Sequence, residues 1–500
     1  MEYSFEPFVE ATGGNWFKDD ALLGRLLDHF IGAGGWNATE MTRWGATVSG
    51  RLKELAEASA ASTALPRVEH FDPRGRRIDR IVLPESTLQA LAEVEGRQRL
   101  GAVHGNPFEF YAKGYLCGQN GEAGVLCSVG CTDGLVRVLE AVGDRPDHAR
   151  AVERIRASTP ERVWHGAQFV TEVQGGSDVP ANRTRAVPER DGWRLYGRKW
   201  FCSNVNADYF LVTGRPDGSE AVGLFLVPAY EEPGRSAPGD GARNGYTVDR
   251  LKDKLGTREL ATAELTFDGA IGFAVGSPER GLSNLVRYVL TTSRFYCVQS
   301  AASTLRQAER MAGAYTCFRE AFGRRLVDFP AAQERLDEIR LERRRALACY
   351  FELLRLWEAG REGEDDAELL FRVMLSLCKP VLTQRATRLT REAMILLGGN
   401  GIEERFSPLP RLLRDAVIME IWEGPHDVLF SQALRDLKRF DVDPGDFVDR
   451  VTEGSSELSH ELGAFLASEN PLEEVVPFRR WAGRMVSNFG DAVLERLPAT

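Results

Sequence analysis

Residues 411–434 read RLLRDAVIMEIWEGPHDVLFSQAL, and the rest of the chain is organised around this stretch. An apolar run (Val417, Ile418, Met419, Ile421, Trp422) leads to one carboxylate, Glu423, after which Gly424-Pro425 opens a helix. Proline suits a helix's first position because the N–H it lacks would have no partner there. Glu423 therefore stands between apolar residues and a helix N-terminus. Apolar walls raise a carboxylate's basicity and a helix end lowers it, so a general base is one reading. Taken alone, a carboxylate in such a place is more often a solvated turn residue, and the surrounding motifs must decide.

Working outward, the helical period holds from about residue 281. Residues 282–322, 331–359 and 367–397 each read as a long helix, the last with Leu369, Val373, Leu377 and Val381 at four-residue spacing. The helix opened by Pro425 makes a fourth, and four antiparallel helices close a bundle around one core. Beyond DVDPGD, residues 441–500 hold twelve Asp and Glu against five Arg, an acidic helical tail that reads as a bundle extension or a subunit contact.

Upstream the period changes. From residue 168 to about 275, seven short runs (FVTE, TRAV, WRLYGRKWFCS, YFLVTG, VGLFLVP, GYTVDRLKDKLG, ATAELTFDGAIGFAV) are rich in aromatic and β-branched residues and separated by turn formers. They predict a small antiparallel barrel or sandwich. The insertion YEEPGRSAPGDGARNG (230–245) is a surface loop by composition. Residues 1–165 are helical in pattern, with a helix after Asp19-Asp20, further helices over 40–60 and 83–94, and RVEHFDPRGRRIDR (67–80) as loop or short hairpin. Eight glycines between 101 and 134 point to close helix packing.

Length and composition bound the function. Five hundred residues suggest about three domains. A formal charge of −10 argues against a dedicated nucleic-acid binder, although the run RLERRR (340–345) could supply a local basic patch. No apolar run approaches the roughly 20 residues of a membrane span. The N-terminus MEYSFEPFVEATGG lacks the regions of a signal peptide, which makes a cytoplasmic location the expectation. The eight cysteines include only one close pair, Cys127 and Cys131, and the seven histidines form no HExxH set, so a metal enzyme is not expected. No GxGxxG follows a strand, which excludes support for a Rossmann NAD domain.

Several pieces together resemble the acyl-CoA dehydrogenase family. Thr171-Glu172 followed by Gly175-Gly176-Ser177-Asp178 resembles its TE…GSD signature, LKDKLGTRELATAELTFD its final barrel strands, and Arg319…Phe322-Gly323 its RxxFG. The LGGNG of 397–401, Arg414-Asp415 and the IWEG of 421–424 resemble its LGGxG, RD and IYEG segments, in order and at compatible spacing. Within the family the resemblance is to the AidB-like adaptive-response branch, through QGGSD (174–178), KWFCS (199–203), Trp422, Pro330, the long N-terminal region and the C-terminal extension.

The resemblance implies a multidomain α+β fold: an N-terminal helical domain (1–165), a middle antiparallel β-barrel (166–276), a C-terminal four-helix bundle (277–440) and a helical extension (441–500). It implies FAD, held between barrel and bundle by Phe169, Thr171, Gly176, Ser177, Phe201, Ser203, Arg319, Phe322, Gly399 and Asp427. Phe201 takes the place of an aromatic against the isoalloxazine and Ser203 that of a hydroxyl near its reactive nitrogen; strand core is the alternative for Phe201. Arg319, one turn before Phe322 on the long helix, would share a face with it and offer its planar fork to a neighbouring subunit's FAD pyrophosphate. Gly399 could let the cofactor approach the backbone, or the segment is a helix C-cap and turn.

Glu423 matches the catalytic base, which takes the α-proton of an acyl thioester while hydride leaves the β-carbon for the flavin. Relatives that carry the base on the long helix have it where this chain has Ser293. Pro425 and His426 replace a usual Thr-Ser, Asp427 replaces a Gln or Asn and helps the helix dipole, Ile395 replaces a Gln, and His426 is a second acid/base candidate or simply exposed. The expected function is a FAD-dependent dehydrogenase of acyl-CoA or carrier-bound acyl groups, passing electrons to an acceptor such as an electron-transfer flavoprotein, in a homotetramer or dimer. The alternatives are an AidB-like flavoprotein with a DNA-associated, alkylation-protecting role, and a flavin oxidase or monooxygenase on the same fold.

Overall fold

The computed structural model describes residues 3–231, 243–468 and 470–498. Most of the loop expected over 230–245 lies outside the described residues. The chain packs as two compact units, neither continuous in sequence: one holds the residues up to Lys53, His104–Gly121 and those from Arg294 onward, and the other Glu54–Val103 and Glu122–Ser293.

The second unit is built on seven strands in one sheet: Gly166–Phe169, which meets the expected run FVTE only at Phe169, and, over the other six runs, Arg185–Glu189, Gly192–Ser203, Tyr209–Pro216, Gly223–Pro228, Tyr246–Leu251 and Thr262–Ala274. Tyr209–Pro216 pairs with Gly223–Pro228 and also with Arg185–Glu189, which closes the sheet into a barrel. The expected antiparallel barrel is present with two exceptions. Gly166–Phe169 and Arg185–Glu189 both run parallel to Tyr209–Pro216. Neither is its neighbour in sequence, so no tight hairpin dictates direction.

Side-chain alternation divides the Tyr209–Pro216 strand between two cores. Phe210 and Val212 point into the barrel with Phe169, Leu195, Phe225 and Phe267. Tyr209 and Leu211 point outward and pack with Leu135, Ile155, Leu224, Leu226 and Val289. A strand covered on both faces reads as the uninterrupted apolar run YFLV rather than as an alternation. The segment after residue 66 is a true hairpin, Arg67–Phe71 with Arg77–Val82, and the Asp79 carboxylate fastens it by accepting from Arg77 Nε (2.9 Å) and Val248 N (3.0 Å).

The first unit is helical. Asp20 caps Ala21–Ile31 by accepting from Leu23 N at 3.2 Å, as its position before the first periodic leucine implies. Ala367–Leu397 is the central helix, and its stretch from 370 to 382 is apolar almost all round: Leu370, Phe371, Val373, Met374, Leu377, Cys378 and Leu382 are all buried. It packs against Pro330–Glu362, His426–Arg439 and a fifth helix, Leu409–Ile421, where the sequence pattern shows an apolar run without a helix start. The glycines between 101 and 134 serve two purposes rather than packing alone. A Cβ on Gly114 would meet the Gln299 amide at 2.6 Å, whereas Gly121 has φ +75° in the turn that ends Pro107–Gly118.

The extension is part of this unit. Pro471–Arg496 packs on Pro330–Glu362, where Arg345 reaches Asp491 with Nε at 2.9 Å and Nη2 at 2.6 Å, and Arg385 donates to the Gly483 carbonyl at 2.7 Å. The basic patch that the run 340–345 could have supplied is largely taken up in ion pairs. Arg343 is buried against Asp20 and Glu309, Arg345 pairs with Glu342 and Asp491, and Arg340 pairs with Asp337. Helical winding spreads the run around the axis, so that Arg340, Arg343 and Arg345 each meet different carboxylates and Arg344 faces outward. Among the described residues no helix is long and apolar enough to cross a membrane.

Candidate functional site

Two groups of candidate residues lie in the barrel unit. The first is the 171–178 loop, anchored by Glu172. This carboxylate is buried and accepts from Lys199 Nζ (2.8 Å), Thr184 Oγ1 (2.7 Å), Thr184 N (3.0 Å), Arg183 N (2.6 Å) and Gln174 Nε2 (2.8 Å). Burial pushes the Glu172 carboxyl up, but Lys199 and these donors outweigh it and hold it at about 2. The loop it secures leaves Thr171 and Gly176 half-buried and Ser177 exposed. A Cβ on Gly176 would lie 2.5 Å from Thr171 Oγ1, so only glycine fits beside that hydroxyl.

The second group sits on Gly192–Ser203. Its register against Thr262–Ala274 slips between Lys199 and Cys202, so that Trp200 and Phe201 together oppose the single residue Glu264. This β-bulge changes which face the side chains take. Lys199 and Cys202 are buried, whereas the Phe201 ring is 50% exposed. Lys252 Nζ lies 3.3 Å from the Trp200 ring centroid and 4.6 Å from that of Phe201, and donates to Glu264 at 2.7 Å. Ser203 Oγ is 3.1 Å from Thr262 Oγ1, which accepts from Lys254 Nζ at 2.9 Å. Phe201 is therefore not strand core. Phe169 is: its ring is fully buried, 4.6 Å from that of Phe210, which leaves it no side-chain surface for a cofactor. Ser293, at the alternative base position, accepts from Gln168 Nε2 at 3.1 Å.

Glu423 belongs to the helical unit. Leu409–Ile421 ends beside it and the next helix, His426–Arg439, starts one residue later than expected, with Pro425 as its N-cap. Glu423 has φ +58° and Gly424 φ +114°. A left-handed backbone is uncommon for a residue with a Cβ, costs on the order of 1–3 kcal/mol, and persists where surrounding contacts impose it. Here Arg294 Nε donates to the Glu423 carbonyl at 3.0 Å, and Lys379 Nζ donates to the Glu420 and Gly424 carbonyls at 2.9 Å each. Both cations are buried. His426 is half-buried, with Nδ1 accepting from Gln384 Nε2 at 2.6 Å; burial pushes its pKa down, and Lys379 adds to the shift.

The remaining candidates are more exposed. The long helix ends at Phe318, so Arg319 and Phe322 do not share a helical face as the spacing suggested. Phe322 and Gly323, at φ +53° and +77°, form the turn of a small hairpin, Glu320–Ala321 with Arg324–Arg325. Two consecutive left-handed residues make the type of turn that matches strand twist. Phe322 is 97% exposed, and Arg319 donates to Tyr3 Oη at 2.8 Å. Gly399 faces open space within the short helical turn Gly398–Ile402, and the glycine that packing requires there is Gly401, whose Cβ would lie 2.1 Å from the Met394 carbonyl. Asp427 is exposed at the second position of its helix, where it favours the dipole.

The profile of the adaptive response protein AidB N-terminal domain matches residues 9–158, that of the acyl-CoA dehydrogenase middle domain residues 167–270, and that of the C-terminal domain residues 279–438. The chain is 31% identical over 447 residues to acyl-CoA dehydrogenase family member 11 of Caenorhabditis elegans, covering 84% of this chain and 70% of that protein. It is 30% identical to the putative acyl-CoA dehydrogenase AidB of Escherichia coli, covering 87% and 80%. The chain belongs to the acyl-CoA dehydrogenase family. Its N-terminal segment places it with the AidB-like members of that family. The solved structure of Caenorhabditis elegans ACDH-11 in complex with C11-CoA superimposes with a TM-score of 0.82 at 26% identity, covering 96% of this chain and 87% of that one.

Acyl-CoA dehydrogenases are FAD-dependent oxidoreductases, and this member is one of them. The residues present fit the cofactor: the bulge presents an aromatic ring outward, and the loop at Gly176, where Thr171 already fills the space of a Cβ, leaves the Ser177 hydroxyl exposed. In the sequence Glu172 carries only its place in the TE…GSD signature, with no role of its own, and Lys379 carries none. Lys379 had left a signal, as the one charge in the apolar run LSLCKPVL.

Proposed function

We propose that this protein oxidises an acyl thioester, acyl-CoA or carrier-bound, with Glu423 removing the α-proton. Bound FAD would supply the two-electron acceptor for the β-hydride, the Cα–Cβ double bond forming as both C–H bonds break. The observation that carries the reading is the backbone of Glu423: a left-handed conformation imposed by two buried cations on the carbonyls around it. Strain of this kind gathers where a side chain must be held in one place. A general base works only when its oxygen stays within hydrogen-bond reach of the proton it takes. The C11-CoA complex of the related ACDH-11 supports an acyl-CoA substrate.

In this reading Phe201 stacks on the isoalloxazine, Thr171, Ser177 and Ser203 supply hydroxyls, and the backbone at Gly176 approaches the cofactor closely. Arg319 serves the FAD of a second copy, in a homo-oligomer, and an electron-transfer flavoprotein takes the electrons onward. The decisive experiment is anaerobic. Acyl thioesters of graded chain length should bleach the visible flavin band, and Glu423→Gln should retain FAD yet fail to bleach. A protein with full FAD content that no thioester bleaches would refute the proposal.

A further inference from the structure

We propose that Lys379 is a positioning residue for this oxidation: from inside the bundle its ammonium fixes the backbone on both sides of Glu423 and so sets where that carboxylate stands. The inference rests on the reading of Glu423 as the base. Lys379 lies in the middle of the central helix and is fully buried. Burying an ammonium costs several kcal/mol unless hydrogen bonds compensate, and well-packed apolar residues often replace buried charges without loss of stability. A charge retained there has a task that packing does not explain.

The bonds of the ammonium define that task. Glu420 O is one of the last carbonyls of Leu409–Ile421, which have no partner within their own helix, and a cation also suits the negative end of the helix dipole. Gly424 O belongs to the far side of the turn. One ammonium thus joins the end of one helix to the approach of the next, with Glu423 between its two contacts, while Arg294 holds the Glu423 carbonyl from another helix. The support beneath Lys379 is itself tied down. Pro380 lacks the N–H that would continue the helical ladder, and Thr383 Oγ1 donates to the Lys379 carbonyl at 2.8 Å. Seven residues earlier on the same helix, Arg372 grips Asp436 of His426–Arg439 with Nε and Nη2 at 2.8 Å each, so both ends of the following helix are referenced to one element. Burial pushes the Lys379 ammonium down to about 8, opposed by Cys297 and Glu423, and it remains mainly charged at neutral pH.

Lys379→Met keeps the length and removes the donors. Compared with the wild-type holoenzyme, it should keep its FAD content and a KM within about twofold, while kcat falls about 100-fold, the scale of a 1 Å misplacement. The α-deuterium isotope effect on flavin bleaching should rise as proton removal becomes limiting. An unchanged kcat overturns the proposal, as does a parallel loss of FAD, KM and kcat, which a purely structural lysine would produce. If Lys379→Met does not fold, Gly424→Ala decides: its Cβ at φ +114° would press Leu429 at 3.3 Å and disturb the same turn with Lys379 intact. It should show the same kcat-selective loss, and wild-type kinetics would overturn the idea. Glu423→Gln separates the two levels: if it bleaches normally, the base assignment fails and Lys379 has nothing to position. If Glu423→Gln is inert while Lys379→Met is normal, only the positioning role is lost.

Discussion

Lys199 Nζ lies 2.8 Å from Glu172 Oε1 inside the barrel, and this ion pair joins the 171–178 loop to the bulged strand that presents Phe201. Removing one partner leaves the other charge buried. Lys199→Met should destabilise the protein by about 3–5 kcal/mol. Urea denaturation of the purified variant tests this, and a midpoint equal to the wild type would contradict it.

The same pair sets an acid limit. Glu172 has its folded pKa depressed from 4.5 to about 2, so the unfolded chain binds the proton more readily and stability falls as pH falls. The contribution is complete above about pH 4.5 and disappears on the way to pH 2. Between those values, thermal melts of Glu172→Gln should lose less stability with acid than wild type does. Parallel curves would show that Glu172 is not the group responsible.

Phe201 offers a contrast because its ring is half exposed. Phe201→Ala should change stability of the apoprotein by no more than about 0.5 kcal/mol. Its FAD affinity should drop by about 0.5–1.5 kcal/mol, the typical worth of an aromatic contact. Titration of apoprotein with FAD, set beside a melt, distinguishes the two. Loss of stability without loss of affinity would return Phe201 to the core.

Glu423→Gln should lower kcat by about 10²–10⁴-fold, the usual contribution of a general base, with FAD binding retained. Steady-state assays with the best thioester of the panel, combined with flavin quantitation, provide the check.

A DNA-associated role through the 340–345 run is disfavoured by its ion pairs. Arg340→Gln with Arg344→Gln should leave any DNA retention, and its slope against salt concentration, unchanged. A slope reduced by about two in a gel-shift series would restore the basic patch.

The helices and strands were legible because each depends on neighbours in sequence. Asp20 before its leucines follows from local capping, and the extent of Ala367–Leu397 from its period and the glycine that ends it. Where the local signal is ambiguous, tertiary pairing decides the outcome. RxxFG has helical spacing, yet Phe322 and Gly323 adopt left-handed backbone and turn the chain, a choice made by the pairing of Glu320–Ala321 with Arg324–Arg325. The RLERRR run has the composition of a patch, but a helix directs Arg343 and Arg345 to carboxylates of three other segments, Asp20, Glu309 and Asp491.

By itself the sequence determined the order of helical and β segments, the family motifs and the carboxylate ahead of the Gly-Pro step, since periodicity, caps and turn residues act over a few positions. Only tertiary structure decided how that carboxylate is held. The bulge that turns Phe201 outward is a matter of register between strands some sixty residues apart, and Lys379 meets the 420–424 turn from about forty residues away. Such contacts come from packing, where a buried charge is stable only against the particular carbonyls that the folded chain brings to it.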